Sequence, residues 1–566
     1  MVRTTRTCKA AVAVAVAAFL LPQAAGAALA KLPRSKAVES PLAAYARARA
    51  AGADGALDIA ARSYAQVLAA RPGDPAIAAR AYRNALIGGD IALALKAATV
   101  LDTAGALPAD GRLLLLAGAI RAKDWGAAQA AVDAIAADGS FDFLVPVLRA
   151  WVAQGSGASD PIAILDVPNG SALTGALVAE HRALILLAAG RLDEGLIVAR
   201  TQLLAGDGGS LGLKLGAAAR LQAAGRRDAA MSLLRGDDPA VAAARDRIEA
   251  GQRLRVGSPD VAGGVAALLI RVGEAVQADP RSPLALTLAR IAHHLDPTND
   301  GGTLMLARLL AVAGQEQAGL AMLGRIPADG VFARPATDLR VAILTELDRA
   351  EEALALATAK SGGRDATLAD LVRTGDLLVS LDRFAEAASA YDRAIAAADR
   401  APEAEERLWT LWLLKGSALE RSGDWEAARP ALEAAVRLAP LEPVALNYLG
   451  YAQLERRENV PAAMALIEEA ARLRPDDPAI TDSLGWAHFL TGNVARAIPA
   501  LEQAVQGQPA DPTINEHLGD AYWAAGRRFE ARHAWRAAAL FAESADVEAR
   551  ARAKVEQGYR PALAAR

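Results

Sequence analysis

Six histidines, His181, His293, His294, His488, His517 and His533, are the first side chains to weigh for chemistry. No two stand four apart with a glutamate between them, the spacing that puts two imidazoles and a general base on one face of a zinc-hydrolase helix. His488 falls among residues spaced for packing on a helix, so a core or rim position is expected. Gly155-Ser156-Gly157 has the glycines of a nucleophile elbow, but no strand-like run precedes it, and it reads as a turn. Gly206-Asp207-Gly208-Gly209 has the glycine content of a phosphate loop without the Lys-Ser/Thr ending that would hold phosphate; it reads as a connection between helices. Carboxylates are abundant, but on an Ala/Arg/Glu-rich chain they read as solvated faces. No catalytic set, metal site or cofactor is therefore expected.

The elements that would carry these side chains are helices. Hydrophobic residues make up 53% of the 566 residues and aromatics only 4%, the surplus being largely alanine. Alanine is the best helix former and lets helices approach closely. Alternating β-branched and polar runs, the mark of strands, do not stand out. A chain this long exceeds one conventional core, so several domains or a repeat array is expected.

The first thirty residues differ from the rest. Arg3, Arg6 and Lys9 give a basic start, and Ala10 to Leu21 is an apolar stretch too short for a mature membrane helix. Small-x-small sites follow at Ala25-Gly26-Ala27 and Ala28-Leu29-Ala30. A cleavable secretory signal over residues 1–30 is expected, and with it the periplasm of a Gram-negative bacterium. Cys8, the only cysteine, precedes the apolar stretch instead of following it, so lipid attachment is not expected. The mature chain then has no thiol for a disulfide, a nucleophile or a metal. Losing Arg3, Arg6 and Lys9 from 62 Lys+Arg leaves 59 against 65 Asp+Glu, a formal charge of −6. That mildly acidic balance argues against nucleic acid as the main partner. No later stretch is long and apolar enough to cross a membrane.

A repeat is clearest in the last third. Gly416, Gly450, Gly485 and Gly519 recur at spacings of 34 and 35, three of them preceded by leucine. Gly423, Gly492 and Gly526 follow at a fixed interval, then Ala428, Ala497 and Ala531, then Ala435, Ala504 and Ala538; Pro440, Pro475 and Pro509 close units. This is the pattern of the tetratricopeptide repeat (TPR), two antiparallel helices A and B per unit. The first glycine is expected where helix A touches its own helix B, and the second where helix A ends. Leu432, Leu501 and Trp535 are expected to fill the gap between units, and Asp477-Pro478 and Asp511-Pro512 to open the next helix A.

The phase extends upstream in degraded form, through Gly55-Ala60-Tyr64-Pro72, Gly89, Asp124-Trp125, Gly190, Gly225 and Gly314. Gly375-Phe384-Ala387-Tyr391-Ala394 is a good unit, set 41 residues before Gly416. Between Asp238 and Thr303 the phase is lost. The expected fold is all-α, a TPR helix-turn-helix solenoid wound as a right-handed superhelix. Its expected parts are a signal peptide (1–30), degenerate TPR-like repeats (31–302), further TPR-like repeats (303–361), a regular TPR array (362–542), and a capping helix and tail (543–566). Asn299–Gly302 and Ser361–Gly363 are the expected breaks between stacks.

The segments LKGSALERSGDWEAA, LNYLGYAQLERREN, DSLGWAHFLTGN and INEHLGDAYWAAGRRFEARHAWRAA, in that order, resemble a family of proteobacterial envelope TPR proteins. That family includes an outer-membrane lipoprotein adaptor presenting cell-wall hydrolases to a periplasmic carboxyl-terminal processing protease. The resemblance covers about 170 residues, and departs in having no cysteine where a lipid would attach. It implies a scaffold or adaptor whose partners are other proteins, a periplasmic protease and its substrates among them. Family members bind through helix A residues three before, and one and four after, the small residue of the Leu-Gly pair. Those positions hold Asn447, Tyr451 and Leu454, then Asp482, Trp486 and Phe489, then Glu516, Asp520 and Trp523. On this reading Tyr451 and Trp486 are exposed lateral neighbours on a concave wall. The acids beside them favour a partner with basic or amide groups and disfavour a free terminal carboxylate.

A structural part in a secretion or polysaccharide-export assembly has the same composition, and is the alternative. A catalytic module within residues 238–303 is the remote one, since about 65 residues of the same Ala/Leu/Arg texture leave little room for it.

Overall fold

The computed structural model describes residues 40–166, 171–205, 211–276, 283–363, 366–398 and 406–560. The signal-like segment, Cys8 and the Gly206-Asp207-Gly208-Gly209 connection lie outside them. Among the described residues there are thirty α-helices, short 3-10 stretches at 142–144 and 406–407, and no strand. The chain divides into two compact units, one reaching Leu107 and one starting at Pro108.

In the first unit, helices Pro41–Ala53, Leu57–Ala70, Pro75–Gly88 and Ile91–Thr103 make two hairpins. Ala48, Ala60, Ala81 and Ala85 are wholly buried between them, with Tyr64 and Tyr82 filling the gaps. The Tyr45 ring meets that of Tyr64 edge-on at 6.3 Å, with Arg80 over it at 5.5 Å. Asp74 accepts from the Ala76 and Ile77 amides to cap the third helix, whose first residue is proline.

The second unit ends in the regular stack. Its A helices are Leu408–Arg421, Pro443–Glu455, Pro478–Leu490 and Pro512–Ala524; its B helices are Trp425–Leu438, Val460–Leu473, Val494–Gly507 and Arg528–Phe541. The glycines act as their spacing predicts. A Cβ on Gly485 would stand 2.6 Å from Leu501 Cγ, and one on Gly416 equally close to Leu432 Cδ2, so A and B helices touch there. Leu432 and Leu501 thus pack on the glycine of their own unit. They also reach the next A helix, Leu432 beside Ala445 and Leu449, Leu501 beside Leu518 and Ala521. Gly492 ends its A helix at φ 81°, where a β-carbon would be strained. Asp477 and Asp511 each cap the proline-led helix that follows.

Elsewhere the structure departs from the expectations. Asn299 caps helix Asp300–Val312 by accepting from the Gly302 amide, so Asn299–Gly302 is the start of a helix and not a loop. Ser361–Gly363 ends helix Ala350–Ser361, yet one core runs past it from Val341 and Leu344 to Tyr391 and Ala418. Gly155-Ser156-Gly157 is a helix end: Ser156 is the last residue of Val145–Ser156 and Gly157 follows at φ 66°. The extra residues between Gly375 and Gly416 fall between helices Phe384–Ala398 and Leu408–Arg421. Residues 238–303 include helices Pro239–Glu249, Val261–Val276 and Pro283–Leu295, which continue the all-helical texture.

Candidate functional site

Glu516 and Asp520 stand one turn apart on the last A helix and are both wholly buried. Their charges are met by helix Ala545–Gln557. Arg550 Nε and Nη2 donate to the two Glu516 oxygens at 2.9 Å each, and Lys554 Nζ donates to both Asp520 oxygens at 2.8 and 2.7 Å. Lys554 also lies 2.7 Å from Glu516 and is itself fully buried. Asp520 further accepts from Trp535 Nε1 at 2.9 Å. Burial pushes the Asp520 carboxyl up to about 6 against the pull of Lys554, whereas Arg550 and Lys554 overcome burial and hold Glu516 below the usual range.

The same register continues one unit back. His517 Nδ1 faces both Asp482 oxygens at 3.1 and 3.0 Å. Burial alone would push the His517 imidazole down; Asp482, helped by Asp520 and Glu455, holds it above its ordinary value. His517 Nε2 is buried with no hydrogen-bond partner among the described residues. Trp486 stacks on His517 (centroids 3.9 Å, planes 13° apart) and on Phe489 (4.8 Å, 16°), and its indole N–H donates to Glu455 at 2.5 Å.

The nine residues expected on a concave wall therefore fare differently. Trp486 is not an exposed anchor: it is 1% exposed. The reason is local, because the flat ring of His517 covers one face and Glu455 satisfies the N–H, removing the cost of burying it. Leu454 is core, packed with Ile467 and Ala487. Asp482, Glu516 and Asp520 are buried in pairs within the chain, not free for a partner. Trp523 is half-buried, tilted against Trp535 at 5.4 Å with Arg528 and Arg532 over its ring. Phe489 is half-buried, with Tyr559 edge-on at 6.2 Å. Tyr451 is half-buried, and burial, then Glu455 and Asp482, raise its phenol. Asn447 is half-buried as a residue, but its Oδ1 is itself buried, with no partner among the described residues. Of the nine, Asn447, Tyr451 and Trp523 combine partial exposure with a polar group that no internal ion pair claims, and the Trp523 ring is already covered by Arg528 and Arg532.

Sequence reasoning missed Glu455, His517, Arg550, Lys554 and Tyr559. The signal was available for two of them. Arg550 and Lys554 stand 34 residues after Glu516 and Asp520, which puts helix Ala545–Gln557 in the register of a further A helix. Among the described residues, no three His, Cys, Asp or Glu side chains are grouped as a metal site requires, and no helix is long and apolar enough to cross a membrane.

Residues 413–478 and 483–547 match the family model described as tetratricopeptide repeat. The chain carries tetratricopeptide repeats. The matched TPR segments coincide with the regular A and B helices, and the fold is all-α, of the TPR helix-turn-helix kind. Among solved structures, the chain is similar to a thermophilic TPR protein of Thermus thermophilus, at 20% identity over 34% of this chain and 100% of that one, TM-score 0.29. It is also similar to a tetratricopeptide repeat protein of Parabacteroides merdae (14% identity, 44% and 96% covered, TM-score 0.38). Yeast Tom70 matches at 12% identity over 92% of this chain and 95% of its own, TM-score 0.32. Scores this low carry no functional inference. No protein with a curated description matches. TPR arrays are in general protein-interaction scaffolds, whose stacked units present an extended surface to a partner.

Proposed function

We propose that this chain is a non-catalytic scaffold of the bacterial envelope, holding partner proteins against the A helices of its C-terminal TPR stack. The observation that carries the reading is the mode of recognition already at work inside the molecule. Glu516 and Asp520, one turn apart on an A helix, grip Arg550 and Lys554, one turn apart on helix Ala545–Gln557. An A-helix face built this way suits a partner helix or peptide presenting basic or amide groups. Asn447 and Tyr451, one turn apart on the A helix two units further in, are half-buried and bound in no internal ion pair, which leaves their edge of that helix for such a partner. The envelope reading is supported by Arg3, Arg6 and Lys9 ahead of Ala10–Leu21 and the small-x-small sites beyond. With no cysteine after that stretch, the mature protein belongs free in the periplasm. The sequence resemblance supports a processing protease and its substrates as the partners to seek.

The test is cross-linking in intact cells, fractionation, capture of the full chain and mass spectrometry. Periplasmic recovery is expected, with a defined set of co-purifying proteins lost in the double variant Asn447→Ala, Tyr451→Ala. The melting temperature should stay nearly unchanged. A fatty-acylated protein in the outer membrane, or full partner recovery with the double variant, would overturn the reading.

A further inference from the structure

A cavity of about 370 Å³ lies inside the second unit, where the 34-residue phase fails. Helices Ala172–Ala188, Leu211–Ala223, Val261–Val276, Asp300–Val312 and Ala333–Glu346 supply most of its walls. Leu184, Leu213, Ile270, Met305 and Phe332 make the lining largely apolar. That size and character suit a small-molecule site.

The charged groups on the wall are not equally committed. Glu180 faces Arg271 at 3.4 Å. Asp238 is spent as a helix cap, accepting from the Ala240 and Val241 amides. His181 accepts from the buried Trp151 indole at 3.0 Å, and burial pushes its imidazole down to about 3, so it is neutral. Glu274 has burial pushing its carboxyl up, toward the neutral form. Two cations remain. Arg220 gives one N–H to the Gly216 carbonyl at 3.0 Å, while its Nε is buried with no partner among the described residues. Asp260 and Asp296 act on Arg220 only from beyond ion-pair reach, and burial lowers its guanidinium to about 10. Arg308 lines the same cavity, exposed and without a carboxylate partner among the described residues. A half-buried guanidinium whose Nε is buried without a partner carries an unmet cost, and an anion brought by a ligand would relieve it.

We infer that this cavity binds a small amphipathic acid, its apolar body against Leu184, Ile270, Met305 and Phe332 and its carboxylate or phosphate on Arg220 and Arg308. The site is separate from the TPR face and does not depend on the scaffold reading. Its occupant would stiffen the least regular part of the array.

Isothermal titration of the full mature chain tests it, with decanoate and decyl phosphate as probes and decyltrimethylammonium as the charge-reversed control. Saturable binding of at least one acid is expected, and which of the two binds tells a carboxylate from a phosphate ligand. The cation should not bind. Arg220→Met should weaken binding roughly tenfold or more, as loss of a charged hydrogen bond does. Ala267→Phe, which places a ring in the cavity, should abolish it, and Phe529→Ala, at an exposed position far along the chain, should not change it. If Arg220→Met fails to fold, Ala267→Phe decides alone. No saturable acid binding, equal binding of the cation, or binding indifferent to Ala267→Phe would each overturn the inference.

Discussion

Lys554 is a wholly buried ammonium between two wholly buried carboxylates, Glu516 and Asp520. Removing one member of such a cluster leaves the others charged and unsolvated. Lys554→Met should therefore cost about 3–5 kcal/mol, well beyond the effect of an exposed lysine, measured by urea denaturation of the C-terminal transition. Trp486→Ala should cost a comparable 3–5 kcal/mol, since the indole fills space between His517 and Phe489. His517 makes stability depend on pH. Its folded-state pKa is raised above the ordinary 6.5, chiefly against burial and through Asp482, so the imidazolium contributes stability that is full below pH 6.5. That contribution is lost as pH rises through the folded value. Denaturation at pH 6 and pH 8 should show the stack weaker at the higher pH, and His517→Gln should flatten the difference. A wild-type profile that rises over this range, or an unchanged slope in His517→Gln, would contradict the assignment.

Within each helix pair, the tight points are Gly485 against Leu501 and Ala497 in the wholly buried centre of its B helix. Gly485→Leu should overpack that crossing and destabilise by about 1–3 kcal/mol or more, seen as a lower melting temperature. These positions were legible in the sequence because a helix crossing accepts only a small residue, which returns with every unit. The capping pairs Asp477-Pro478 and Asp511-Pro512 were legible for the same kind of reason, since capping is local chemistry. The fate of Trp486 was not. Whether an aromatic faces solvent or a neighbour depends on what the next A helix presents, and His517 lies 31 residues away in sequence. Asn299–Gly302 was legible as a boundary but not as a helix start, because Asn and Gly mark a cap as readily as a linker. The cavity was legible only as a loss of phase, which says that packing changes and not what the change makes.

Across the second unit, stability should follow regularity. Where successive units repeat the same crossing, interfaces add, and where helices stand apart around a cavity, they do not. Hydrogen exchange should find amides of residues 416–541 better protected than those of residues 238–303. The reverse order would show that the irregular helices form the more cooperative body.

The terminal helix carries the cations that answer the last A helix's acids, 34 residues on. Units of this array are consequently not interchangeable bricks. Copying residues 509–542 in frame would set a second Glu516-Asp520 face against the first, with one Arg-Lys pair to serve both. Such an extended chain should expose its duplicated segment to protease while the wild type stays intact. The order of charges along the chain thus sets which unit can follow which.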